Sequence, residues 1–482
     1  MIVTHSVIVI DPTADLQAAI NAAPDYSTIR LAPGVYTAPD ANGFLITKPI
    51  TIEGAGRPYV FDGIGPPKVA WDAGTVIRVY NTAGTTNGGM NSKGFTIRAP
   101  SSAGLSCVTI RSLGIENPYT IPASPVTAGT GDGIFVDCTI GAISRLTVED
   151  VSILFMGRDG INCSGDLAGG RPLDQSTFRH VDIAGCRRHG MRIYYGTDID
   201  LDRVTFTGNE QCGLFALSSY FILMRHCLWN NNGKSFVTAG TDWNGDPAAW
   251  PWYDQAQCVF NGVTRFLVNA GDFEEWSQLA SGPEPAVKTA IQCLSGGSGI
   301  IENCGTYNSG GYAAPGAVEA IMIMLSDISG VTILSNQVAA CDWYVYGLNN
   351  AGVRGVFVGP YLPSVPNSPC KVNLPWGTEA TGLISGVTVT DPSGGNLGLV
   401  ALTTAAAIET SDIGPSFMAG LQLPFCSAIS ALTSALGDGT LAGDAGAKAL
   451  KLYQDGAWQT VAAGLVSIDG DIVTYDDEPV SH

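Results

Sequence analysis

Apolar residues in this chain recur at two periods, and the change from one to the other comes early. Leu16, Ala19, Ile20 and Ala23 fall at the i, i+3, i+4, i+7 spacing of a half-buried helix. Thr13 or Asp15 can cap its first N–H groups, and Pro24 stops it. From Thr28 the period drops to two. Ile29 and Leu31 share one face of a strand closed by Pro33-Gly34. Phe44-Leu45-Ile46 and Ile50-Thr51-Ile52 follow, ending at Gly54-Ala55-Gly56. A single short helix ahead of short strands and tight turns predicts a lid on the end of a stack.

The alternation then becomes a repeat. Residues 57–130 read as irregular early rungs, with strand patterns at 76–79, 95–97 and 107–110 and a loop rich in Pro, Thr, Ser and Gly at 117–130. From Gly131 one unit recurs: an alternating strand, a polar turn ending in Gly, and a strand opening on an apolar residue. Val151-Ser152-Ile153 leads to Gly160, Val181-Asp182-Ile183 to Gly190, Val204-Thr205-Phe206 to Gly213, and Phe221-Ile222-Leu223 to Gly233. These glycines differ by 30, 23 and 20 residues, the period of a solenoid in which each repeat is one coil. Asn209 and the run 230–232 are expected in left-handed turn positions. Coils continue through Cys258, Cys293, Cys304 and Val331, with 351–358 as the last full one. Near Tyr361 the composition changes, and Pro363, Pro366 and Pro369 mark a linker. Beyond it, 449–461 reads as a hairpin with Asp455-Gly456 at its turn, similar to a small β element near the ends of phage tail and fibre proteins.

The helix LQAAINAA, the strand and turn TIRLAPGVY and the pair ITKPITIEGAG resemble, in this order, the opening of the pectin-lyase-like superfamily. The resemblance implies an all-β chain: a right-handed parallel β-helix with an N-terminal helix cap and a smaller β-rich C-terminal region. The expected divisions are 1–56 for the cap and first rungs, 57–369 for the β-helix and 370–482 for the C-terminal region, the natural trimerising part. Lyases, hydrolases, epimerases and phage tailspikes share this fold, so it leaves the reaction open.

Composition fits a long β solenoid: 14% of residues are charged, 45% are hydrophobic, and Gly 60 suits frequent turns. The net charge of −19 argues against nucleic acid or an anionic membrane as partner. It also sits badly with a polyanionic sugar unless basic groups are gathered locally. No C-x-x-C pair occurs, so no metal or cofactor is expected. Cys138, Cys163, Cys186 and Cys212 lie 25, 23 and 26 residues apart, which predicts a position recurring on an inward stack of reduced thiols. The opening residues lack a basic stretch and a long apolar run, so no secretory signal and no membrane insertion are expected.

Aligned on glycine, the coils stack Asp159 over His189 over Cys212, Arg158 over Arg188 over Gln211, and Gly157 over Arg187 over Glu210. Asp159, His189, Arg188 and Glu210 then share a ridge. Two carboxylates on it can serve as the acid and base of a glycosidase. An arginine beside a carboxylate instead favours β-elimination from a uronate, and a third reading is a solvated ridge of mutually neutralised charges. Trp243, Trp250, Trp252, Tyr253 and Trp276 fall within 34 residues of a chain with Trp 9. Asp254, Glu274 and Glu275 lie among them, Asp254 placed to accept from sugar hydroxyls and Glu274 with Glu275 a second candidate acid and base. Such rings stack on sugar faces, pin a loop, or form a subunit interface. Together these features predict a phage tailspike at the virion surface, homotrimeric, bound to other tail proteins, that recognises host polysaccharide, with its cleavage left open. The alternatives are a free bacterial polysaccharide lyase or glycoside hydrolase, and a non-catalytic structural or adhesive β-helix.

Overall fold

The computed structural model describes residues 6–60, 68–69, 74–80, 91–118, 130–230, 232–233, 256–274, 287–295, 297–307, 319–326, 328, 330–334, 336 and 343–348, with short strand segments from 353 to 463. The opening is a lid. The helix Leu16–Ala22 buries Leu16 and Ile20, and Asp15 caps it by accepting from the Ala18 amide at 2.9 Å. Gln17 reaches across to the strand Phe44–Ile46, where its Oε1 accepts from the Leu45 amide at 2.8 Å and its Nε2 donates to the Leu45 carbonyl at 3.1 Å. One side chain thus satisfies backbone groups at the open edge of a sheet, where another strand could otherwise pair.

Behind the lid run two long parallel sheets, one of 20 strands and one of 13. Each coil gives the smaller sheet one strand and the larger sheet a longer, bent run. The coil that opens on Met191–Tyr194 continues through Gly196–Asp202 and Thr205–Thr207. The next coil lies on it in register, Met191 on Leu214, Ile199 on Ile222 and Phe206 on Trp229. The bends begin at left-handed residues. Tyr195, Ser218 and Ser295 have φ of 54°, 47° and 57°, and Arg203, His226 and Asn303 have 53°, 54° and 55°. Within the larger sheet one such residue at a fixed place in each coil turns the chain without a loop, despite the steric cost at non-glycine positions, whereas the passage from the smaller sheet to the larger ranges from Tyr195 alone to residues 165–172.

The aligned glycines have a different reason. At Gly133, Gly160 and Gly190 a Cβ would stand 2.6 Å from the carbonyl oxygen of the matching glycine one coil on. They are glycines because the coils approach too closely there for any side chain. Asn209 and Asn232 are likewise not the left-handed residues expected. Glycines take that conformation, Gly208 at 61° and Gly233 at 76°, while both asparagines are buried and form a ladder. Asn209 accepts from the Cys186 amide at 3.0 Å and donates to Asn232 Oδ1 at 2.7 Å; Asn232 donates to Gln257 Oε1 at 2.6 Å. The ladder supplies partners to interior polar groups that water cannot reach.

Between the sheets the core is continuous. Phe206, Trp229 and Phe273 stack in successive coils, with ring centroids 5.7 and 4.6 Å apart. Cys138, Cys163, Cys186 and Cys212 are buried free thiols, but they do not share one column. Cys163 lies within a strand of the smaller sheet, between Val136 and Ile193, whereas Cys186 and Cys212 lie in turns. Coil lengths vary, so an even sequence spacing does not keep residues in one column. Parallel pairing also continues beyond the expected last coil, through Lys371–Asn373 and Thr388–Thr390. These strands are three residues each, Lys-Val-Asn and Thr-Val-Thr, too short for their alternation to stand out in the sequence. The chain falls into two compact units, 1–396 and 397–482. In the second, Ala449–Gln454 and Ala457–Ala463 pair antiparallel with Gln454 opposite Ala457, the hairpin expected around Asp455-Gly456. Among the described residues no helix is long and apolar enough to cross a membrane.

Candidate functional site

One corner of the coil differs from the others. The register places Glu116, Leu154, Ala184, Thr207, Asn230, Glu274 and Tyr307 in a single column. In these seven coils the connection from the larger sheet to the smaller one therefore departs from the same edge. Three successive connections, 155–160, 185–190 and 208–213, have six residues each. The one before them, 117–133, and those after them, 231–255, 275–286 and 308–318, are longer. Trp243, Trp250, Trp252, Tyr253 and Asp254 belong to the first long connection after the short turns, and Glu275 and Trp276 to the next. All seven lie outside the described residues; their points of attachment do not.

The short turns carry a ladder of charge. Arg158 donates to both oxygens of Asp132, at 2.8 and 2.5 Å. One coil on, Arg188 grips both oxygens of Asp159, which also accepts from the His189 amide at 3.1 Å. Asp132 likewise accepts from the Asp159 amide at 3.2 Å, so each carboxylate clamps the next turn. Asp132 and Asp159 are fully enclosed and Arg188 nearly so. Burial alone would raise the Asp159 carboxyl, but the charge and hydrogen bonds of Arg188 outweigh it and hold the group well below the ordinary carboxylate range. A carboxylate placed this way holds structure together. It has no free lone pair turned to solvent.

His189 follows Asp159 in the same column. Its ring stacks on Phe215, with centroids 4.9 Å apart and planes 7° off parallel. Burial, more than the neighbouring arginines, pushes its pKa well below the usual imidazole value, against the pull of Asp159. Nδ1 accepts from the Cys212 amide at 3.4 Å, so the proton of the neutral ring sits on Nε2. Glu210 is partly exposed and ion-paired with Arg187 of the previous turn. The structure thus brings Asp159, Arg188, His189 and Glu210 onto adjacent turns. Only Glu210 among them offers a carboxylate toward solvent.

Glu274 ends the strand Asp272–Glu274, at the same edge and two coils beyond Thr207. It accepts from Asn230 Nδ2 at 2.9 Å. Asp272 points the same way, on the opposite side of the sheet from buried Phe273. Desolvation first, and the charge of Glu274 second, raise the Asp272 carboxyl above its ordinary value. Sequence reasoning passed over Asp272, although period-two alternation around Phe273 pairs it with Glu274. It also passed over Asp132, whose partner Arg158 lies one coil away, and Arg192, considered below. No cluster suited to a metal ion occurs among the described residues.

Residues 174–358 match a family model described as a right handed beta helix region. No curated protein sequence matches the chain. Similar solved structures include the enzymatically active domain of tailspike protein 2 from bacteriophage CBA120, 12% identical with a TM-score of 0.48. That match covers 80% of this chain and 52% of the other, so the chain spans about half the length of that structure. ORF18 of Geobacillus virus E2 is 15% identical with a TM-score of 0.46, covering 95% of this chain and 86% of that one. DFA-IIIase from Arthrobacter chlorophenolicus A6 is 14% identical with a TM-score of 0.48, covering 74% and 94%.

Proposed function

Starting from a chain that is a right-handed parallel β-helix, we propose that it recognises host-surface polysaccharide as a phage tail protein. The observation that carries this reading is the common edge. Three short turns, stacked about 4.8 Å apart, form a stiff floor, and the long connections, one carrying Trp243, Trp250 and Trp252 and the next Trp276, are rooted on either side of it. A polymer lying along the coil axis would meet this floor and the aromatic rings together, the pairing that oligosaccharide recognition uses. In this reading Asp159, Arg188 and His189 hold the floor, and Glu210 and the Trp-rich connections meet the glycan. Trimerisation through the C-terminal region, and attachment to other tail proteins, belong to the same proposal.

A second reading, that the bound polymer is also cut, is favoured by Asp272 and Glu274. Two residues apart on one strand face, they are rooted about 6.6 Å from each other, and so present two carboxyl groups to the same stretch of a bound chain, as glycosidases do. The raised Asp272 suits the acid. The test is a panel of bacterial capsular polysaccharides and O-chains, scored for binding, for new reducing ends and for absorbance of unsaturated uronate. Binding that falls on Trp252→Ala supports recognition. Reducing ends that vanish in Asp272→Asn and Glu274→Gln, with binding kept, support hydrolysis. A full panel with nothing bound refutes the recognition proposal, and a monomer by light scattering refutes the trimer.

A further inference from the structure

Resting on the polysaccharide reading above, we propose that Arg192 is the centre of a carboxylate-binding subsite that selects glycans containing an acidic sugar. The arginines of the short turns are all committed, Arg158 to Asp132, Arg188 to Asp159 and Arg187 to Glu210. Arg192 is not. It has no carboxylate partner among the described residues. Arg145, Arg203 and Arg265 also lack one, but they are exposed to water, whereas Arg192 is half-buried. Its one side-chain hydrogen bond is a long one, from Nη1 to Asn162 Oδ1 at 3.4 Å, and its Nε is buried with no acceptor at all. A guanidinium withdrawn from water normally has its donors filled, because leaving them empty costs more than the bonds return when made.

The surroundings suit a sugar acid. Arg192 stands in the outward column of the smaller sheet, Phe135–Asn162–Arg192–Phe215, immediately past the short turns. Phe215 is the next residue along this column, itself stacked on His189, and the Tyr194 ring lies 5.6 Å from the guanidinium carbon. Apolar rings beside a planar two-nitrogen fork would take the face of a pyranose and its carboxylate together. Burial first, and then Arg188, press on the Arg192 charge. An arriving anion would relieve that pressure. Lys93, in the turn column with Asp132 and Asp159, is a second cation without a carboxylate partner, resting 5.4 Å from the Phe135 ring centroid. In a protein of net charge −19, this corner is a local exception.

The experiment uses the full chain and a panel of hexuronate-containing capsular polysaccharides, sialate-containing polymers and neutral O-chains, with each acidic polymer also tested after carboxyl reduction to the neutral alcohol. The wild-type protein is expected to bind one or more acidic polymers and to bind the reduced form about ten- to a hundredfold more weakly, the value of a charged hydrogen-bonded contact. Arg192→Gln is expected to show the same loss on the native polymer and no further loss on the reduced one. Arg192→Lys is expected to recover part of the affinity, and the thermal midpoint of Arg192→Gln is expected not to fall. Equal binding of native and reduced polymer by the wild type, or an unchanged Arg192→Gln, overturns the subsite. A panel in which only neutral O-chains bind also overturns it and leaves the polysaccharide reading standing. A panel with nothing bound overturns both.

Discussion

Asp159→Asn separates a structural carboxylate from a catalytic one. Asparagine keeps the volume and one acceptor, so the bond from the His189 amide can survive. What is lost is the charge opposite Arg188, whose side chain is 3% exposed while that of Asp159 is 0% exposed. Removing one partner of such a buried pair costs about 3–5 kcal/mol, because the other charge is stranded. Asp132 lies near enough to compensate in part, which points to about 3 kcal/mol. In a solenoid the loss is local, since each coil touches only its neighbours. Hydrogen exchange at Gly160, His189 and Gly190, whose amides bond across these turns, is therefore the assay. About 3 kcal/mol corresponds to exchange on the order of a hundredfold faster. Asp159→Asn with Arg188→Met, which removes both charges, is expected to restore most of the protection. The pH dependence has a definite sign. A carboxylate with depressed native pKa contributes its stability above the unfolded value, about 3.9, and loses it as pH falls through the lower native value. Wild-type protection should outlast ordinary carboxylate titration and fail only in stronger acid. Unchanged exchange in Asp159→Asn alongside lost turnover would refute the structural role.

Three further outcomes are expected. Asn209→Ala leaves the buried Cys186 amide without its acceptor and takes the side-chain donor from Asn232 Oδ1, and should lower stability by about 2 kcal/mol in urea unfolding. Gly160→Ala places a methyl 2.6 Å from the Gly190 carbonyl oxygen and 2.2 Å from Ile183 Cγ2; it should cost about 1–3 kcal/mol, read as a lower denaturation midpoint. Among the described cysteines, only Cys107 should react with a thiol reagent at pH 8. Burial lifts Cys138, Cys227 and Cys304 to about 12, so raising the pH to 10 should not speed their labelling until the chain unfolds.

The fold was legible because a coil writes itself into sequence as alternation broken by a close-approach glycine. Gly160, Gly190 and Gly213 kept their places in the repeat, and aligning on them brought Asp159, Arg188 and His189 onto adjacent turns. Less legible was what each residue does there. The polar turn residues looked like a solvated ridge, yet Asp159 is enclosed, since burial depends on how the neighbouring turns close over it. Asn209 fits a left-handed turn by composition, but Gly208 beside it has that conformation at lower steric cost. Arg192 sits in a strand that alternates normally, and its missing partner is a fact about other coils. No local pattern marks an absence of that kind.

The longest connections leave from one edge, while the bend within the larger sheet is a single left-handed residue with no length to vary. The cross-section of a coil is set by those bends, by the inward side chains and by the close glycines, and among Gly133, Gly160 and Gly190 only Gly133, the last residue of 117–133, falls within a long connection. A connection can therefore be lengthened, shortened or exchanged while the register of the coils on either side stays fixed. The scaffold and the recognition surface can diverge at independent rates, as a keyboard keeps its frame when the keys are changed. A lineage of such proteins could follow a changing sugar coat by editing 117–131, 231–255, 275–286 and 308–318 alone, with Asp132 and Gly133 kept.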